Sequence, residues 1–527
     1  MMKNTVFYVF QKKIRHFSAS DTLFFLAAIA VVLLNIIIRY PVVPHEIGID
    51  SFFIHYLAGV IESEGKIPWL LSFLSLFGLY PYSYPSGIPI FLSELHLITG
   101  LELETVIYWF ALVIGLLGIG TSYLLAGEFF QTRGVQLLFA LIFSLSPLTL
   151  KFTIWTASTR GAFLMLLPLA LWSLIRFCKN WSLPYMLLSL LLYSVLWSVH
   201  RLFILLIPIT ILCLVLYRGK TLFHEERQRT HKNLIKVLIL LAIVFACILY
   251  ILQFAELAEL YQNSSSYWGL RYFSFTGIPM WINYVIGNLI ELGSRFVLLV
   301  PFAALGLLFF IKEEVIKPNE WLVLCTTLCF LPFLGYSIQI YQILLPFICL
   351  LAVYGIIILI KGRRSKFIQI SAYSFLIVLL IFSSVGTLVI RDISSDSSGY
   401  HNYADDQTVS IAQFLKINTP QSEGVTGEGM IYIGAYSGKK TTIPEEIFCA
   451  IDGDKEEINR HISLKKIDPF NSHSWEGFVK YPFVVTKAST CGFDTRYYIF
   501  KSDTSIARCG ETFQIYDNGQ YTVRYNG

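Results

Sequence analysis

The strongest candidates for chemistry are two carboxylates that follow the first long apolar run of the sequence. Glu46 and Asp50 lie just beyond this run, which ends near residue 40. A carboxylate held at a membrane boundary can deprotonate or orient the hydroxyl group of an acceptor molecule. His55 lies further along the same segment and could share a cavity with Asp50, although a lone histidine there is more typical of an interface. The alternative for both acids is a role as solvated loop charges.

The loop that carries these acids argues against that alternative. Asp50 opens a predicted amphipathic helix from Ser51 to Glu62, and a second apolar helix follows Pro68. A loop that is both apolar and helical, here residues 41–103, lies along the membrane surface instead of extending into water. The acids are therefore predicted to lie at the edge of a cavity that this loop covers.

The composition places most of the chain in a membrane. Of its 527 residues, 55% are hydrophobic and only 14% are charged, and the mean hydropathy is +0.62. Soluble domains carry about 25% charged residues, so this chain lacks the polar surface to cover itself in water. Apolar runs near the length of a membrane span occur at roughly 22–40, 104–127, 135–150, 160–177, 182–199, 201–217, 234–254, 293–311, 319–337, 340–360 and 367–389. The sequence predicts an α-helical polytopic membrane protein of about eleven transmembrane helices.

The distribution of basic residues predicts the orientation. With the N-terminus in the cytoplasm, the cytoplasmic loops and helix flanks contain 19 Lys and Arg residues, and the opposite side contains 7. Cytoplasmic loops of membrane proteins carry an excess of Lys and Arg. We therefore expect a multi-pass protein of the cell membrane, with the first long loop and everything after Arg391 outside the cytoplasm. No basic stripe with interleaved aromatic residues occurs, so nucleic acid is not expected as a partner.

The last part of the chain is predicted to be water-soluble. The composition divides the chain into a transmembrane domain at 1–390, a polar linker at 391–403 and a small extracytoplasmic α/β or α+β domain at 404–527. Its predicted elements are a helix at Asp405–Ile417 and strands at Met430–Ala435, Pro482–Lys487, Arg496–Phe500, Glu511–Tyr516 and Tyr521–Tyr525. An oxidising environment favours one disulfide among the tail cysteines, with one thiol left over. The sequence does not select a pair among Cys449, Cys491 and Cys509.

Several short motifs, taken in order, resemble the GT-C superfamily of membrane glycosyltransferases. The segments Gly48–His55, Glu64–Pro68 and Tyr84–Gly87 look like the first outside loop of these enzymes, which opens with an essential acid and continues as an amphipathic helix. Ser146-Pro147 followed by Thr159-Arg160-Gly161 resembles their second outside loop. The chain is similar to oligosaccharyltransferase catalytic subunits and to protein mannosyltransferases and aminoarabinose transferases.

The resemblance implies an inverting transfer of a sugar from a polyprenyl-phosphate donor. Asp50 takes the catalytic acidic position, and Glu46 is its partner or its alternative. The donor phosphate requires cations, and the basic residues predicted on the outer side include Lys151, Arg160 and Arg201, although an arginine at a helix end can be an interfacial anchor. His200 and Arg201 fill a tight turn between two spans, where ionisable groups usually line a cavity. His55 and Tyr341 complete the predicted substrate-binding set.

Two differences from the oligosaccharyltransferases bear on which type of glycosyltransferase the sequence predicts. Their second outside loop supplies acids that help to hold a divalent metal, whereas this loop offers Lys151 and Arg160. The tail also lacks the Trp-Trp-Asp-Tyr-Gly motif of that branch. A metal-free enzyme of the mannosyltransferase or aminoarabinose-transferase type is favoured over a metal-dependent one.

The sequence supports one leading function and two alternatives. The leading hypothesis is a glycosyltransferase that moves a sugar from a lipid-linked donor to an extracytoplasmic protein, lipid or glycan. A non-catalytic assembly protein of the same fold is the second hypothesis. A lipid or sugar transporter is the third, and it predicts buried ionisable residues within the spans and an internal repeat, neither of which the sequence shows. The identity of the sugar and of the acceptor stays open.

Overall fold

The computed structural model describes the membrane part and the tail in separate stretches. It describes residues 19–41, 43–65, 87–218, 299–312, 317–330, 340–361, 406–418, 425–427, 430–438, 497–501, 512–517 and 521–526, and the single residues 296, 374, 378, 381, 382 and 404. Outside these residues lie the predicted span at 234–254, most of the run at 367–389, the linker, the predicted strand at Pro482–Lys487 and the three tail cysteines. The total of eleven spans therefore stays a prediction.

The amino-terminal part of the described chain is helical, as its long apolar runs require. Its helices are α1 (Ala19–Arg39), α2 (Ile49–Glu64), α3 (Gly87–Thr99), α4 (Leu103–Ala126), α5 (Arg133–Ser144), α6 (Pro147–Lys151), α7 (Thr159–Asn180), α8 (Leu183–Val199), α9 (Leu206–Arg218), α10 (Leu299–Lys312), α11 (Pro318–Phe330) and α12 (Ile340–Lys361). Four segments are long and apolar enough to cross a membrane: Asp21–Arg39, Leu103–Ala126, Thr159–Asn180 and Ile340–Ile360. The chain is an integral membrane protein.

The centre of the bundle is formed by α4, α7 and α12. α7 packs against both α4 and α12, and α5 lies beside α4 and α12. Small residues allow the close approach of α4 to α7, since a Cβ atom at Gly118 would come within 2.2 Å of the sulfur of Met165. The hydroxyl of Thr121 donates to the carbonyl of Met165 at 2.7 Å. Small residues and interhelical hydrogen bonds are the usual means of joining helices in lipid, where the hydrophobic effect does not drive association.

Two facing glycines join α10 to α12. A Cβ atom on Gly306 would lie 2.0 Å from the carbonyl oxygen of Leu351, and one on Gly355 would lie 2.0 Å from that of Phe302. The two backbones therefore touch at this crossing, and neither position has room for a side chain. At this crossing the helices are held together by van der Waals contact between their main chains, and not by interlocking side chains.

The predicted apolar run at 135–150 is not one helix but two. α5 ends at Ser144, and α6 begins at Pro147. Proline disfavours the helical conformation of the residue before it, and Ser146 is accordingly extended, with φ −61° and ψ 141°. The Ser146 side chain accepts a hydrogen bond from the backbone N–H of Thr149 and caps the new helix. The chain turns here and enters the loop that precedes α7.

The helix predicted beyond Asp50 is confirmed as α2. Gly48 precedes it with φ +96°, a backbone conformation that residues other than glycine rarely adopt. Gly65 ends it in the left-handed conformation at φ +62°. Ile54 and Ala58 belong to the core cluster of the membrane part, so the helix lies against the bundle instead of extending into water.

The described part of the tail combines helices with a small sheet. Its elements are α13 (Asp406–Asn418), β1 (Val425–Gly427), α14 (Met430–Ser437), β2 (Tyr497–Lys501), β3 (Thr512–Asp517) and β4 (Tyr521–Asn526). The sheet order is β1-β2-β4-β3, in which β1 and β2 are parallel and the other pairs are antiparallel. The predicted helix at Asp405–Ile417 and the last three predicted strands are confirmed. The strand predicted at Met430–Ala435 is wrong, because this segment is helix α14, which packs against α2 and α13.

Filling the glycine contact between α10 and α12 should destabilise the bundle. We expect Gly355→Leu to lower the free energy of unfolding of the purified protein by about 1–3 kcal/mol, and so to lower its melting temperature. The reason is that the new side chain meets backbone that cannot move aside. The matched control is Gly120→Leu, because Gly120 is also a glycine of a membrane helix but has no atom near its Cβ position. Equal melting temperatures for the two variants would contradict the proposed crossing.

Candidate active site

The two loops that the sequence predicts on the outer side of the membrane meet beside α2. The backbone N–H of Ile47 donates to the carbonyl of Trp155 at 2.9 Å. A Cβ atom on Gly48 would lie 3.5 Å from the hydroxyl oxygen of Thr156. Trp155 is itself strained, with φ +36°, which non-glycine residues rarely adopt. These contacts fix the start of α2 against the segment that leads into α7.

This junction brings Asp50 and Arg160 together. Asp50 lies in the first turn of α2 and Arg160 in the first turn of α7, and Oδ2 of Asp50 is 3.1 Å from Nη1 of Arg160. The Asp50 side chain is 40% exposed and that of Arg160 is 30% exposed, so both can reach a bound molecule. Two residues that were selected separately from the sequence thus form one ion pair.

Lys151 extends this charged group. The ammonium of Lys151 and the guanidinium of Arg160 lie over the ring of Phe152, at 5.6 and 5.9 Å from its centroid. The electron-rich ring attracts each cation, so the two basic groups share one aromatic contact. Asp50, Arg160 and Lys151 therefore make a cluster of one acid and two bases at the amino-terminal end of α7, where the helix dipole also favours an anion.

Glu46 has different surroundings, because it is fully buried beneath α2. Its carboxylate accepts hydrogen bonds from the hydroxyl of Ser51 and from Nδ1 of His55, each at 2.5 Å. The Ser51 hydroxyl in turn accepts from the backbone N–H of Ala157 at 2.7 Å. Glu46 and His55 therefore form a buried pair that ties α2 to the second loop, whereas Asp50 remains at the surface.

A second carboxylate, Glu104, supports the loop and was not among the predicted site residues. It accepts hydrogen bonds from the backbone N–H of Glu46 at 3.0 Å and from the hydroxyl of Tyr436 at 3.0 Å. Its Oε1 also lies 3.1 Å from Nδ1 of His45, whose Nε2 lies 3.1 Å from Asp406. The only signal in the sequence was a carboxylate at the start of the second span.

The surroundings of His45 and Tyr436, which both face Glu104, shift the pKa of each side chain. The hydrogen bond to Glu104 raises the pKa of His45 above its ordinary value, in spite of the opposing effect of burial. Burial, together with the negative charges of Glu46 and Glu104, raises the pKa of Tyr436 far above its ordinary value. Tyr436 therefore stays a neutral phenol and acts as the hydrogen-bond donor to Glu104.

Arg39 lies below the second loop and is almost completely buried. The charge count from the sequence included it among the seven basic residues of the outer side and made no prediction about its burial. Its guanidinium donates to the side chain of Asn35 at 2.5 Å, the hydroxyl of Thr153 at 3.1 Å and the carbonyl of Ser144 at 2.9 Å. Gly115 leaves the necessary room, because a Cβ atom there would lie 2.2 Å from Nε of Arg39. Arg39 thus joins α1 to the end of α5 and to the segment that follows α6.

Two of the three remaining predicted residues, His200 and Tyr341, lie deeper in the fold. His200 is buried, its Nδ1 accepts from the N–H of Leu202 at 3.0 Å, and it starts the turn Arg201–Leu205. The side chain of Arg201 is outside the described part of the chain. Tyr341 is buried in α12, with its ring 5.9 Å from that of Phe296. His200 and Tyr341 therefore belong to the buried core and not to the exposed face that carries Asp50.

Comparison with solved structures identifies the fold. No protein-family model matches the sequence, and no curated protein matches it either. The chain is similar to the oligosaccharyltransferase of Archaeoglobus fulgidus in the apo form, with a TM-score of 0.54 and 11% identity over 91% of this chain and 69% of that one. It is also similar to ArnT from Cupriavidus metallidurans bound to undecaprenyl phosphate, with a TM-score of 0.51 and 13% identity over 96% of this chain and 98% of that one.

Both neighbours are GT-C glycosyltransferases. At this level of identity the likeness is one of fold, and it extends over nearly the whole chain. The resemblance predicted from the loop motifs is therefore confirmed at the level of the fold.

The hydrogen bonds around Glu46 make a specific prediction for stability. Ser51→Ala leaves one carboxylate oxygen and the N–H of Ala157 without this partner inside the protein, which we expect to cost about 1–3 kcal/mol. The matched control is Ser63→Ala on the same helix, because the exposed Ser63 hydroxyl bonds only the carbonyl of Val60. Its effect should stay within about 0.5 kcal/mol. Thermal unfolding of the two purified variants tests the prediction, and a Ser51→Ala protein as stable as Ser63→Ala would refute it.

Proposed function

We propose that this protein is a membrane glycosyltransferase that moves a sugar from a polyprenyl-phosphate donor to an acceptor outside the cytoplasm. The ion pair between Asp50 and Arg160 carries the proposal. It places an accessible acid beside an accessible base, at the junction of two loops, in a fold that glycosyltransferases share. An acid and a phosphate-binding cation are the two groups that such a transfer requires.

In the proposed reaction, Asp50 acts on the acceptor and the cations act on the donor. The acceptor hydroxyl attacks the anomeric carbon of the sugar and transfers its proton to the Asp50 carboxylate. The new glycosidic bond forms as the bond between the anomeric carbon and the phosphate oxygen breaks. The electron pair of the broken bond stays with the polyprenyl phosphate, whose increased negative charge Arg160 and Lys151 stabilise. The stereochemistry inverts because attack and departure take place on opposite faces.

Glu46 and His55 have an indirect role in this proposal. Glu46 lies under α2 and bonds Ser51 and His55, so the pair orients the loop that presents Asp50. A polyprenyl phosphate is chosen as the donor because the similar ArnT structure holds undecaprenyl phosphate. His200, Arg201 and Tyr341 stay predictions as substrate-binding residues.

The proposal includes the predicted topology. The N-terminus lies in the cytoplasm, and the transmembrane domain at 1–390 is followed by a linker and by the extracytoplasmic domain at 404–527. The contact of α14 with α2 supports one part of this arrangement, because it requires the first loop and the tail to lie on the same side.

A non-catalytic assembly protein of the same fold is the second candidate. The observation that favours it is the second loop, which offers Lys151 and Arg160 where oligosaccharyltransferases have further acids. Such a protein could bind the lipid phosphate without transferring a sugar. Binding and transfer must therefore be measured separately.

Neutralising Asp50 should abolish transfer and preserve lipid binding. We expect Asp50→Asn to lower the release of undecaprenyl phosphate from a panel of undecaprenyl-phosphate sugars by about 10²–10⁴-fold, the usual contribution of a general base. Glu62→Gln is the matched control, because Glu62 lies on the same helix and pairs with His96 instead. Mass spectrometry of the extracted lipids gives the rates. Transfer by the Asp50→Asn variant at the wild-type rate would remove Asp50 from the mechanism.

Arg160 should be required for binding of the lipid phosphate itself. We expect Arg160→Gln to weaken the binding of undecaprenyl phosphate about 10–100-fold, since a charge-assisted hydrogen bond contributes about 1.5–3 kcal/mol. Arg133→Gln is the matched control, because Arg133 also pairs with an aspartate, Asp21, at 3.2 Å but at a distant position. Native mass spectrometry of the protein in lipid nanodiscs measures both affinities. Equal affinities for the two variants would exclude Arg160 from the phosphate site.

A further inference from the structure

The apolar contact between the tail and α2 lies two residues from Asp50. Phe52 has no exposed surface, and it forms a cluster with Ala404, Val409 and Ala435 of the tail, against which Tyr436 also packs. The rings of Phe52 and Tyr436 are 6.3 Å apart. The first loop therefore inserts a large side chain into the tail instead of merely touching its surface.

A polar contact accompanies this cluster. The hydroxyl of Tyr436 donates to Glu104 at 3.0 Å, and Glu104 in turn accepts the backbone N–H of Glu46 at 3.0 Å. The ring of Tyr436 also lies edge-on to His45 at 5.7 Å and to His55 at 5.3 Å. One tail residue thus contacts the start of the loop, the histidine of the buried Glu46–His55 pair and the first turn of α4.

A third contact is the bridge made by His45. Its Nδ1 faces Glu104 and its Nε2 faces Asp406 of α13, each at 3.1 Å. Carboxylates accept hydrogen bonds, so the two nitrogens can both donate only when the ring carries its second proton. The bridge between the membrane part and the tail is therefore complete in the imidazolium form.

We infer that α13 and α14 hold the loop that presents Asp50, with Tyr436 and His45 as positioning residues for the transfer reaction. The effect on the transfer reaction rests on the proposed function, whereas the contacts between the tail and the loop do not depend on it. Displacement of a reacting group by about 1 Å can cost a hundredfold in rate. Asp50 is joined to the tail cluster through only one intervening residue, so loosening the tail displaces the acid directly.

The inference predicts that the contact depends on pH. The groups that face His45 are Glu104 on α4, Asp406 on α13 and the ring of Tyr436 on α14, with Glu46 adjacent in the chain. The bridge raises the pKa of His45. A raised pKa means that the bridge is fully present below the ordinary value of about 6.5. It is lost as the pH rises through the higher value of the folded protein.

Hydrogen exchange of the full-length protein in nanodiscs tests the contact without any sugar donor. We expect Tyr436→Phe to lower the protection of peptides from 43–65 about three- to tenfold, the effect of one hydrogen bond. Tyr193→Phe is the matched control, because Tyr193 shares a 2.6 Å hydrogen bond with Thr210 at a distant position. Asp406→Asn is a second test at a surface position, because its carboxylate is 83% exposed, and it should also lower the protection.

The pH dependence separates His45 from a purely structural histidine. In the wild-type protein, the protection of 43–65, corrected for intrinsic exchange, should fall as the pH rises through the titration of His45. His45→Asn should remove this dependence, whereas His96→Asn, which breaks a pair with Glu62 on the exposed side, should keep it.

The outcomes distinguish this inference from the proposed function. Loss of protection in Tyr436→Phe and Asp406→Asn supports the positioning role, and with an active donor the same variants should lose transfer while still binding undecaprenyl phosphate within twofold. If these variants lose protection but the wild-type protein transfers no sugar, the loop contact is supported and the proposed transferase function is contradicted. Unchanged protection in both variants, or a pH dependence that survives in His45→Asn, would overturn the inference.

Discussion

The junction beside α2 is governed by one constraint: a charge taken out of water must meet a partner inside the protein. Glu46 is fully buried, Arg39 is almost so and Glu104 is largely enclosed, and each would be very costly to bury alone. Arg39 and Glu104 find partners on segments that are far away in the chain, whereas Glu46 finds them nearby and is linked to the second loop through the bond from Ala157 to Ser51. Glu46 bonds His55 and Ser51, Arg39 bonds Thr153 and the carbonyl of Ser144, and Glu104 bonds His45 and Tyr436. These requirements can be met together only when both loops, the first helix and the tail take their observed positions.

The faces of α2 show how this constraint orients Asp50. Successive residues of a helix are rotated by about 100°. Ile54 faces the bundle core, Phe52 faces the tail, and Ser51 and His55 face the buried Glu46. Asp50 lies one turn before Ile54 and only about 40° from it around the helix, so it extends from the beginning of the core-facing side, where Arg160 lies. The orientation of the acid is thus a consequence of packing on the rest of the helix, and any change on the other faces alters it.

Local patterns predicted the parts of this arrangement that depend on neighbouring residues. The apolar runs, the helix beyond Asp50 and the late strands follow from periodicity and turn residues. Glu104 and Tyr436 were missed because their hydrogen bond joins positions 332 residues apart, which no local pattern records. Met430–Ala435 was predicted as a strand from its β-branched and aromatic residues, but packing of Ala435 against Phe52 favours a helix. Arg39 was only counted among the charges of the outer side, and its burial was not predicted, since a sequence does not show which arginines find internal partners.

The charges at the junction also explain why the second loop offers bases in the proposed reaction. Asp50, Arg160 and Lys151 together carry one excess positive charge. A polyprenyl-phosphate sugar is a phosphodiester with one negative charge, so the site and the donor are neutral together. After transfer, Asp50 holds the proton of the acceptor, and the released phosphate monoester carries up to two negative charges opposite two cations. The site is thus neutral before and after the reaction, and the charge that develops on the leaving group meets fixed cations instead of water.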